Sequence, residues 1–229
     1  MWFEHPLKNA YIGYVREPSA DTILYLPFKE DLLDHSQTWL ALTTSGTVTI
    51  SDWAAYFNGS SYMYSKSFTQ INQSNFTASL WFKNTSTTNS ERVCLHQFRY
   101  YSWAYRGYAI WVTGSGWTWA NLQNTYKNTS DWANSYISVN DWHHMVLVRD
   151  STNQLSQFYF DGSPIPMQSA WNYPELYWWL WIGWWMRYNS TMWEYKWIGY
   201  MSEIIYENKV WTSTDVAKYY NGTKWNYWL

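Results

Sequence analysis

Apolar and polar residues alternate in short runs along most of the chain, and clusters of Asn, Gly, Ser and Thr separate these runs. A period of two is typical of half-buried β-strands, whereas the 3.6-residue period of amphipathic helices is scarce. The pattern predicts strands at TILYLPF, GTVTIS, AAYFNG, FTASLWFK, RVCLHQF, YAIWVTG, WHHMVLVRD, QFYFDG, YWWLWIG and GYMSEIIYE. We therefore expect an all-β protein, built as a two-sheet antiparallel sandwich.

Two local signals add detail to this prediction. FDGSP, at 160–164, contains an Asp-Gly pair, which favours the positive-φ geometry of a tight hairpin. Thr212 precedes Asp215 by three residues, a capping-box spacing that predicts one short helical turn near the C-terminus. Three residues would share its buried face: Val216, Tyr219 and Tyr220.

The length of 229 residues lies within the range of a single all-β domain. Residues 1–19 have a mixed pattern with two prolines, so we expect an N-terminal arm or linker there and the sandwich at 20–229. The opening MWFEHPLKNAYIGYVREP has no basic segment followed by an apolar core, so no secretory signal is visible. The longest apolar run ends at Arg187 and is shorter than the roughly 20 residues of a membrane-spanning helix, so we expect no membrane insertion.

The most aromatic stretch is ELYWWLWIGWWMRYN, at 175–189. Because strand side chains alternate, one set can fill the core: Leu176, Trp178, Leu180 and Ile182. The opposite set is Tyr177, Trp179 and Trp181. This second set either lines an exposed face, where flat rings can stack on sugars, or is covered by another layer or a neighbouring subunit.

Several segments in chain order resemble the laminin G-like, concanavalin A-like lectin (glucanase) superfamily, particularly its bacterial and phage members. ILYLPFKEDLLDHS is similar to an opening strand and acidic loop, and AAYFNGSSYMY to an aromatic strand ending in Asn-Gly. DWHHMVLVRDSTNQLSQFYFDGSPI resembles the central hairpin, and WIGYMSEIIYENKVWTSTDVAKYYN the closing strand and terminal turn. The resemblance runs from about Thr22 to Tyr220. It implies a jelly-roll sandwich that takes ligands at one rim or on the concave face, in a family that binds glycans, binds proteins or pads surface assemblies.

Aromatic residues supply the candidate ligand-binding positions. Rigid scaffolds concentrate binding residues on loops, and we interpret YYSWAYRGY, GSGWTWANLQN and SDWANS as loops. The candidate carbohydrate-binding residues are Trp103, Tyr105, Trp117, Trp119 and Trp132, together with Trp179 and Trp181 of the aromatic stretch. The alternative for each of them is a surface or half-buried packing role.

Some members of the family hold calcium, which needs several hard oxygen ligands. Asp31 and Asp34 in KEDLLDHS, with Glu203 in YMSEI, are the carboxylates that could bind it here, and the alternative is that they are ordinary solvated acids. His143 and His144 are adjacent on a predicted strand, so they face opposite ways and do not easily chelate one metal. We interpret both histidines as structural.

Charge and motifs narrow the function. Charged residues are 14% of the chain and the formal net charge is −2, which disfavours nucleic acid as a partner. The sequence shows no carboxylate pair spaced on one strand, no Gly-x-Ser-x-Gly, no His-Glu-x-x-His and no phosphate loop, so we do not expect an enzyme.

We expect a non-catalytic carbohydrate-binding or adhesion module of a phage tail or virion, or of a bacterial surface protein. Its location would be extracellular and its partner a cell-surface glycan or a host-surface protein, with other virion or surface subunits as further partners. The alternative is a structural decoration or assembly protein of the same fold.

Tryptophan is unusually abundant, with 21 residues against 10 glycines. A chain of this length would carry roughly 16 glycines at average usage. Four tryptophans stand where the family pattern has glycine or a turn residue: Trp53, Trp184, Trp185 and Trp228. Some bacterial lineages and their phages read UGA as glycine, so one hypothesis is that some of these positions are glycine in the native source. Tryptophan would be strained at a turn that needs positive φ.

Overall fold

A computed structural model describes residues 17–69, 75–86, 91–101, 104–113, 117–124, 129–130, 133–136, 138–153, 155–165, 179–186 and 194–227. Strands dominate this part of the chain. The first nine are β1 Thr22–Leu26, β2 Thr43–Ser45, β3 Thr49–Ser51, β4 Ala54–Asn58, β5 Tyr62–Ser65, β6 Asn75–Asn84, β7 Glu91–Tyr101, β8 Ala104–Thr113 and β9 Trp117–Asn124. The others are β10 Thr129–Ser130, β11 Ala133–Tyr136, β12 Trp142–Asp150, β13 Leu155–Phe160, β14 Ser163–Ile165, β15 Leu180–Ile182, β16 Trp184–Met186, β17 Glu194–Lys196 and β18 Ile198–Glu207.

These strands form two large antiparallel sheets. Sheet I has the order β14-β13-β12-β6-β18-β4-β3, and β1 pairs with β18. Sheet II has the order β10-β9-β8-β7-β15-β5-β2, and β11 pairs with β9. Strands β16 and β17 pair with each other in a small separate sheet. The predicted all-β, two-sheet antiparallel sandwich is confirmed.

The inner faces of the two sheets enclose one apolar core. Phe57 and Phe82 of sheet I belong to the same buried cluster as Leu180 and Ile182 of sheet II. On β15, Leu180 and Ile182 are buried while Trp181 between them is half-buried on the opposite face, as the alternation predicted. A slip of one residue would bring the large indole into the core, so this alternation fixes the register of the strand.

The C-terminal segment packs on the outer face of sheet I. Helix α1 (Ser213–Thr223) begins at the predicted capping box, because the Thr212 side chain accepts the Asp215 main-chain N–H and the Asp215 carboxylate accepts the N–H of Thr212. A short 3-10 helix (Lys224–Tyr227) follows. The second buried cluster lies between this segment and the sheet: Tyr25, Trp81, Val146, Val148, Tyr159, Ile205, Trp211, Val216, Tyr219 and Tyr227.

Two hairpins of sheet I have the same two-residue turn. Asp161 and Gly162 join β13 to β14 with φ angles of 46° and 77°, which confirms the predicted Asp-Gly turn. Asp52 and Trp53 join β3 to β4 with φ angles of 50° and 62°. Positive φ at both central residues defines a type I′ turn, whose second position favours glycine. Trp53 therefore occupies the position that Gly162 occupies in the other hairpin, as expected of a glycine site.

Candidate functional site

Four aromatic side chains lie together on the outer face of sheet II, and we call them the aromatic platform: Tyr62, Tyr64, Trp179 and Trp181. Tyr62 and Tyr64 alternate along β5 with buried Met63 and Ser65, so their rings point away from the core. Trp181 of β15 lies directly opposite Tyr64 in the strand pairing. Two neighbouring strands with strict alternation thus place three rings on the same face.

The rings of the platform contact one another at distances typical of aromatic pairs. The Tyr64 and Trp181 rings stack, with centroids 5.0 Å apart and an interplanar angle of 23°. The Tyr62 centroid lies 5.8 Å from that of Trp181. Trp179 meets Trp181 edge to face at 6.3 Å and is 48% exposed, which makes it the most accessible ring of the four. Mutual packing holds the rings in place before any ligand arrives.

A cation and two hydroxyl side chains border the platform. The Lys66 Nζ lies 5.7 Å from the Tyr64 ring centroid and 5.6 Å from that of Trp179. On the edge strand β2, Thr43 pairs with Tyr64 and Ser45 pairs with Tyr62, so both lie on the same face as the rings. The surface therefore combines flat apolar rings with hydroxyl groups and one ammonium group, the functional groups that bind sugars.

The structure places the predicted carbohydrate-binding residues in three groups. Trp179 and Trp181 come together in the platform. The interpretation of Tyr105, Trp117 and Trp119 as loop residues is wrong: Tyr105 lies in β8, and Trp117 and Trp119 lie in β9. These segments pair with their neighbours along sheet II, and that pairing satisfies the backbone hydrogen bonds that a loop would leave to water. Trp103 and Trp132 lie outside the described residues.

Sequence reasoning missed Tyr62, Tyr64 and Lys66. All three lie in SSYMYSKS, where aromatic or basic residues occupy every second position. That alternation is the signal of a strand with an aromatic outer face, and it could have found all three.

Asp34, one of the candidate calcium ligands, is buried and already satisfied by protein donors. Its Oδ1 accepts the main-chain N–H groups of Tyr25 and Ser36, both at 2.9 Å. Its Oδ2 accepts the Leu40 N–H at 2.7 Å and the Thr38 hydroxyl at 3.1 Å. These donors occupy the lone pairs that a cation would need, so Asp34 fixes the loop after β1.

The other two candidate ligands also have protein partners. Asp31 accepts the Leu33 N–H at 3.0 Å and lies 2.9 Å from His35 Nε2. Glu203 is buried, accepts the Tyr219 hydroxyl, and has a pKa that burial raises above the ordinary value. Within the described part of the chain, no group of three His, Cys, Asp or Glu residues could hold a metal ion. The structure therefore does not assemble Asp31, Asp34 and Glu203 into a calcium site, and neither Asp34 nor Glu203 is a solvated acid.

The two adjacent histidines face opposite sides of sheet I, as predicted. The His143 ring stacks on Phe160 of the core, and its Nδ1 lies 2.8 Å from Asp161 Oδ2. His144 stacks on Trp81 beneath the C-terminal segment. Asp161 also accepts the His144 main-chain N–H at 2.8 Å, so these contacts hold the β13–β14 turn against β12.

Comparisons with known proteins identify the family of the chain and support its fold. The sequence matches the laminin G-type family model described as the concanavalin A-like lectin/glucanases superfamily over residues 57–217. A comparison with curated proteins finds no significant match.

The fold is similar to solved botulinum neurotoxin structures. One is a structure of botulinum neurotoxin type C, whose cell entry is described as dependent on interaction with two ganglioside molecules. Its TM-score is 0.67 and its identity to this chain is 12%. Another is the binding domain of type DC in complex with rat synaptotagmin II, with a TM-score of 0.65 and 13% identity. The serotype D binding domain gives a TM-score of 0.69 and 14% identity. The matches cover 88% of this chain and 51%, 51% and 52% of the solved chains, so the chain spans about half their length.

Among the residues described, no helix combines the length and the apolar character needed to cross a bilayer.

Proposed function

The chain belongs to the concanavalin A-like lectin/glucanases superfamily, and from this premise we propose that it is a carbohydrate-binding module that attaches a virion or a cell to surface glycans. The aromatic platform is the observation that carries the proposal. Trp179, Trp181 and Tyr64 offer ring surfaces for the apolar faces of pyranose rings, and Lys66 and Thr43 offer donors to sugar oxygens. Binding in this form requires no metal and no chemical step.

Pre-packing of the rings favours binding over a purely structural role. Tyr64 and Trp181 are stacked and half-buried, so little side-chain entropy is lost when a sugar orders them further. Solvent-facing aromatic clusters on a sheet also mark interaction surfaces more often than isolated exposed rings do.

The proposal includes an extracellular location and a glycan as the ligand. One of the similar toxin structures is described by interaction with two ganglioside molecules and another by a complex with rat synaptotagmin II, and this chain matches about half the length of each. A glycan is the ligand that we propose here, because the platform is formed of tyrosine and tryptophan rings with hydroxyl neighbours.

A glycan array tests the proposal. Purified protein should bind a defined set of glycans saturably, and Trp181→Ala and Tyr64→Ala should reduce the affinity at least about tenfold. Trp225→Ala is the matched control, because Trp225 is 58% exposed in the C-terminal segment that packs on the other sheet. Circular dichroism confirms that each variant is folded. A folded parent protein that is silent across the array would contradict glycan binding and favour a structural decoration protein.

A further inference from the structure

A second row of outward-facing side chains crosses sheet I. Tyr56 of β4 pairs with Tyr200 of β18, Tyr200 also pairs with Lys83 of β6, and Lys83 pairs with Trp142 of β12. Four neighbouring strands thus align Tyr56, Tyr200, Lys83 and Trp142 in one line, which we call the sheet I row. With strands about 4.8 Å apart, the row spans roughly 14 Å.

The sheet I row lies on the outer face of the sandwich. The residues beside it on the same strands, Ala55, Phe57, Phe82 and Met201, are fully buried in the core between the sheets. Alternation therefore turns the row to the opposite side. All four members of the row are half-buried, whereas the C-terminal segment covers the adjacent Trp81.

The rings of the row are held in place by packing. The Tyr56 and Tyr200 centroids are 4.9 Å apart, and the Trp142 centroid lies 6.3 Å from that of Tyr200. Trp142 also contacts buried Tyr227 at 4.7 Å, and Tyr227 stacks on Trp81 at 4.3 Å. One end of the row is therefore anchored to the second buried cluster, which lowers the entropic cost of ordering it around a ligand.

Lys83 gives the row its chemical selectivity. It stands in register between Tyr200 and Trp142, so it adds one cationic side chain to a row of three aromatic rings and two phenol hydroxyls. The chain as a whole carries a formal net charge of −2, so a general attraction for anions would not account for binding at this point. A ligand with apolar ring faces, hydroxyl groups and one negative charge fits this surface.

We propose that the sheet I row is a second carbohydrate-binding site, selective for sugars that carry a carboxylate or a sulfate. The proposal extends the proposed glycan-binding function to the opposite face and rests on it. The row and the aromatic platform lie on the outer faces of the two opposed sheets, so one molecule would bind two glycans at once and could bridge two surfaces. Two-site attachment of this kind raises apparent affinity without new contacts.

Titrations with three oligosaccharides of similar length test the second site. An oligogalacturonate carries carboxylates and no sulfate, a κ-carrageenan oligosaccharide carries sulfates and no carboxylate, and maltohexaose is the neutral reference. Lys83→Gln and Tyr56→Leu should weaken binding of at least one acidic oligosaccharide about tenfold, equal to about 1.4 kcal/mol. Lys83→Gln should reduce the affinity for the acidic oligosaccharide more than the affinity for maltohexaose. Lys218→Gln is the matched control, since it removes an exposed lysine of α1 that belongs neither to the row nor to the platform.

The outcomes separate this inference from the proposed function. Loss of acidic binding in Lys83→Gln but not in Trp181→Ala supports the second site. Unchanged acidic affinity in Lys83→Gln and Tyr56→Leu, with loss only in Trp181→Ala, overturns the second site and leaves the platform intact. Absence of any acidic binding by the parent protein also overturns the second site, whatever the array shows for neutral glycans.

Discussion

The β3–β4 turn allows a direct test of the tryptophan excess. Trp53 has a φ of 62° at the second position of a two-residue hairpin loop, and the equivalent residue of the β13–β14 loop is Gly162. A non-glycine residue held in this region costs about 1–3 kcal/mol. We therefore predict that Trp53→Gly is more stable than Trp53→Ala, because both remove the indole and only glycine removes the strain.

The magnitude of this difference follows from two contributions, because a third, the loss of a cation-π contact, is common to both variants and cancels. Glycine relieves the strain but loses about 0.5–1 kcal/mol relative to alanine through its greater freedom in the unfolded chain. Both variants lose the contact of Lys29 Nζ with the Trp53 ring, at 5.4 Å, which is worth about 0.5–1 kcal/mol at an exposed position. Trp53→Gly should thus exceed Trp53→Ala by about 1 kcal/mol, or roughly 2–4 °C in Tm for a chain of this size.

Urea denaturation followed by circular dichroism is the suitable assay, since fluorescence would report the loss of the indole itself. Gly162→Ala is the reciprocal control. Residue 162 has a φ of 77°, and an alanine Cβ there would lie 2.7 Å from Tyr220 Cδ1, so this variant should be clearly destabilised. Equal stabilities of Trp53→Gly and Trp53→Ala would refute the interpretation of residue 53 as a glycine position.

Three further predictions concern titration and the native residue. Burial lowers the pKa of His144 from 6.5 to about 3, so between these values only the unfolded chain takes up this proton. The free energy of unfolding should therefore fall by roughly 1.4 kcal/mol for each unit that the pH decreases below about 6.5. The decrease should be less steep in His144→Gln. Burial raises the pKa of Glu203, so the stability linked to this group is complete below its ordinary pKa of 4.5 and is lost as pH rises through the raised value. Glu203→Gln should therefore raise the urea midpoint at about pH 7 and change it less at about pH 4, and the opposite order would contradict the assignment. Peptide sequencing of protein from its native source should find glycine at position 53, and tryptophan at positions 53, 184, 185 and 228 would end the recoding hypothesis.

Elements with strong local signals could be predicted from the sequence. The capping box of Thr212 and Asp215 and the Asp-Gly turn at 161–162 depend on a few adjacent residues, and both are as expected. The opposite orientations of Leu180 and Trp181 also follow from local alternation. Such features need no knowledge of the rest of the fold.

The composition of the aromatic platform could not be predicted in the same way. Trp181 meets Tyr64 only because β15 inserts between β7 and β5, strands that are distant from it in the chain. A sequence shows which residues point outward, whereas pairing between remote strands decides which of them meet. Asp34 illustrates the same limit. The sequence shows that its carboxylate oxygens could bind a cation, but not that these oxygens already accept hydrogen bonds from main-chain N–H groups.

Fluorine NMR of protein labelled with 5-fluorotryptophan tests the central claim, that the outer face of sheet II binds glycans. Trp179→Phe and Trp181→Phe identify the two platform resonances among the 21 tryptophans. Addition of a glycan selected on the array should shift or broaden these two resonances and leave that of the control, Trp225, in place. Glycan binding that moves other tryptophan resonances while those of Trp179 and Trp181 stay unchanged would contradict the account.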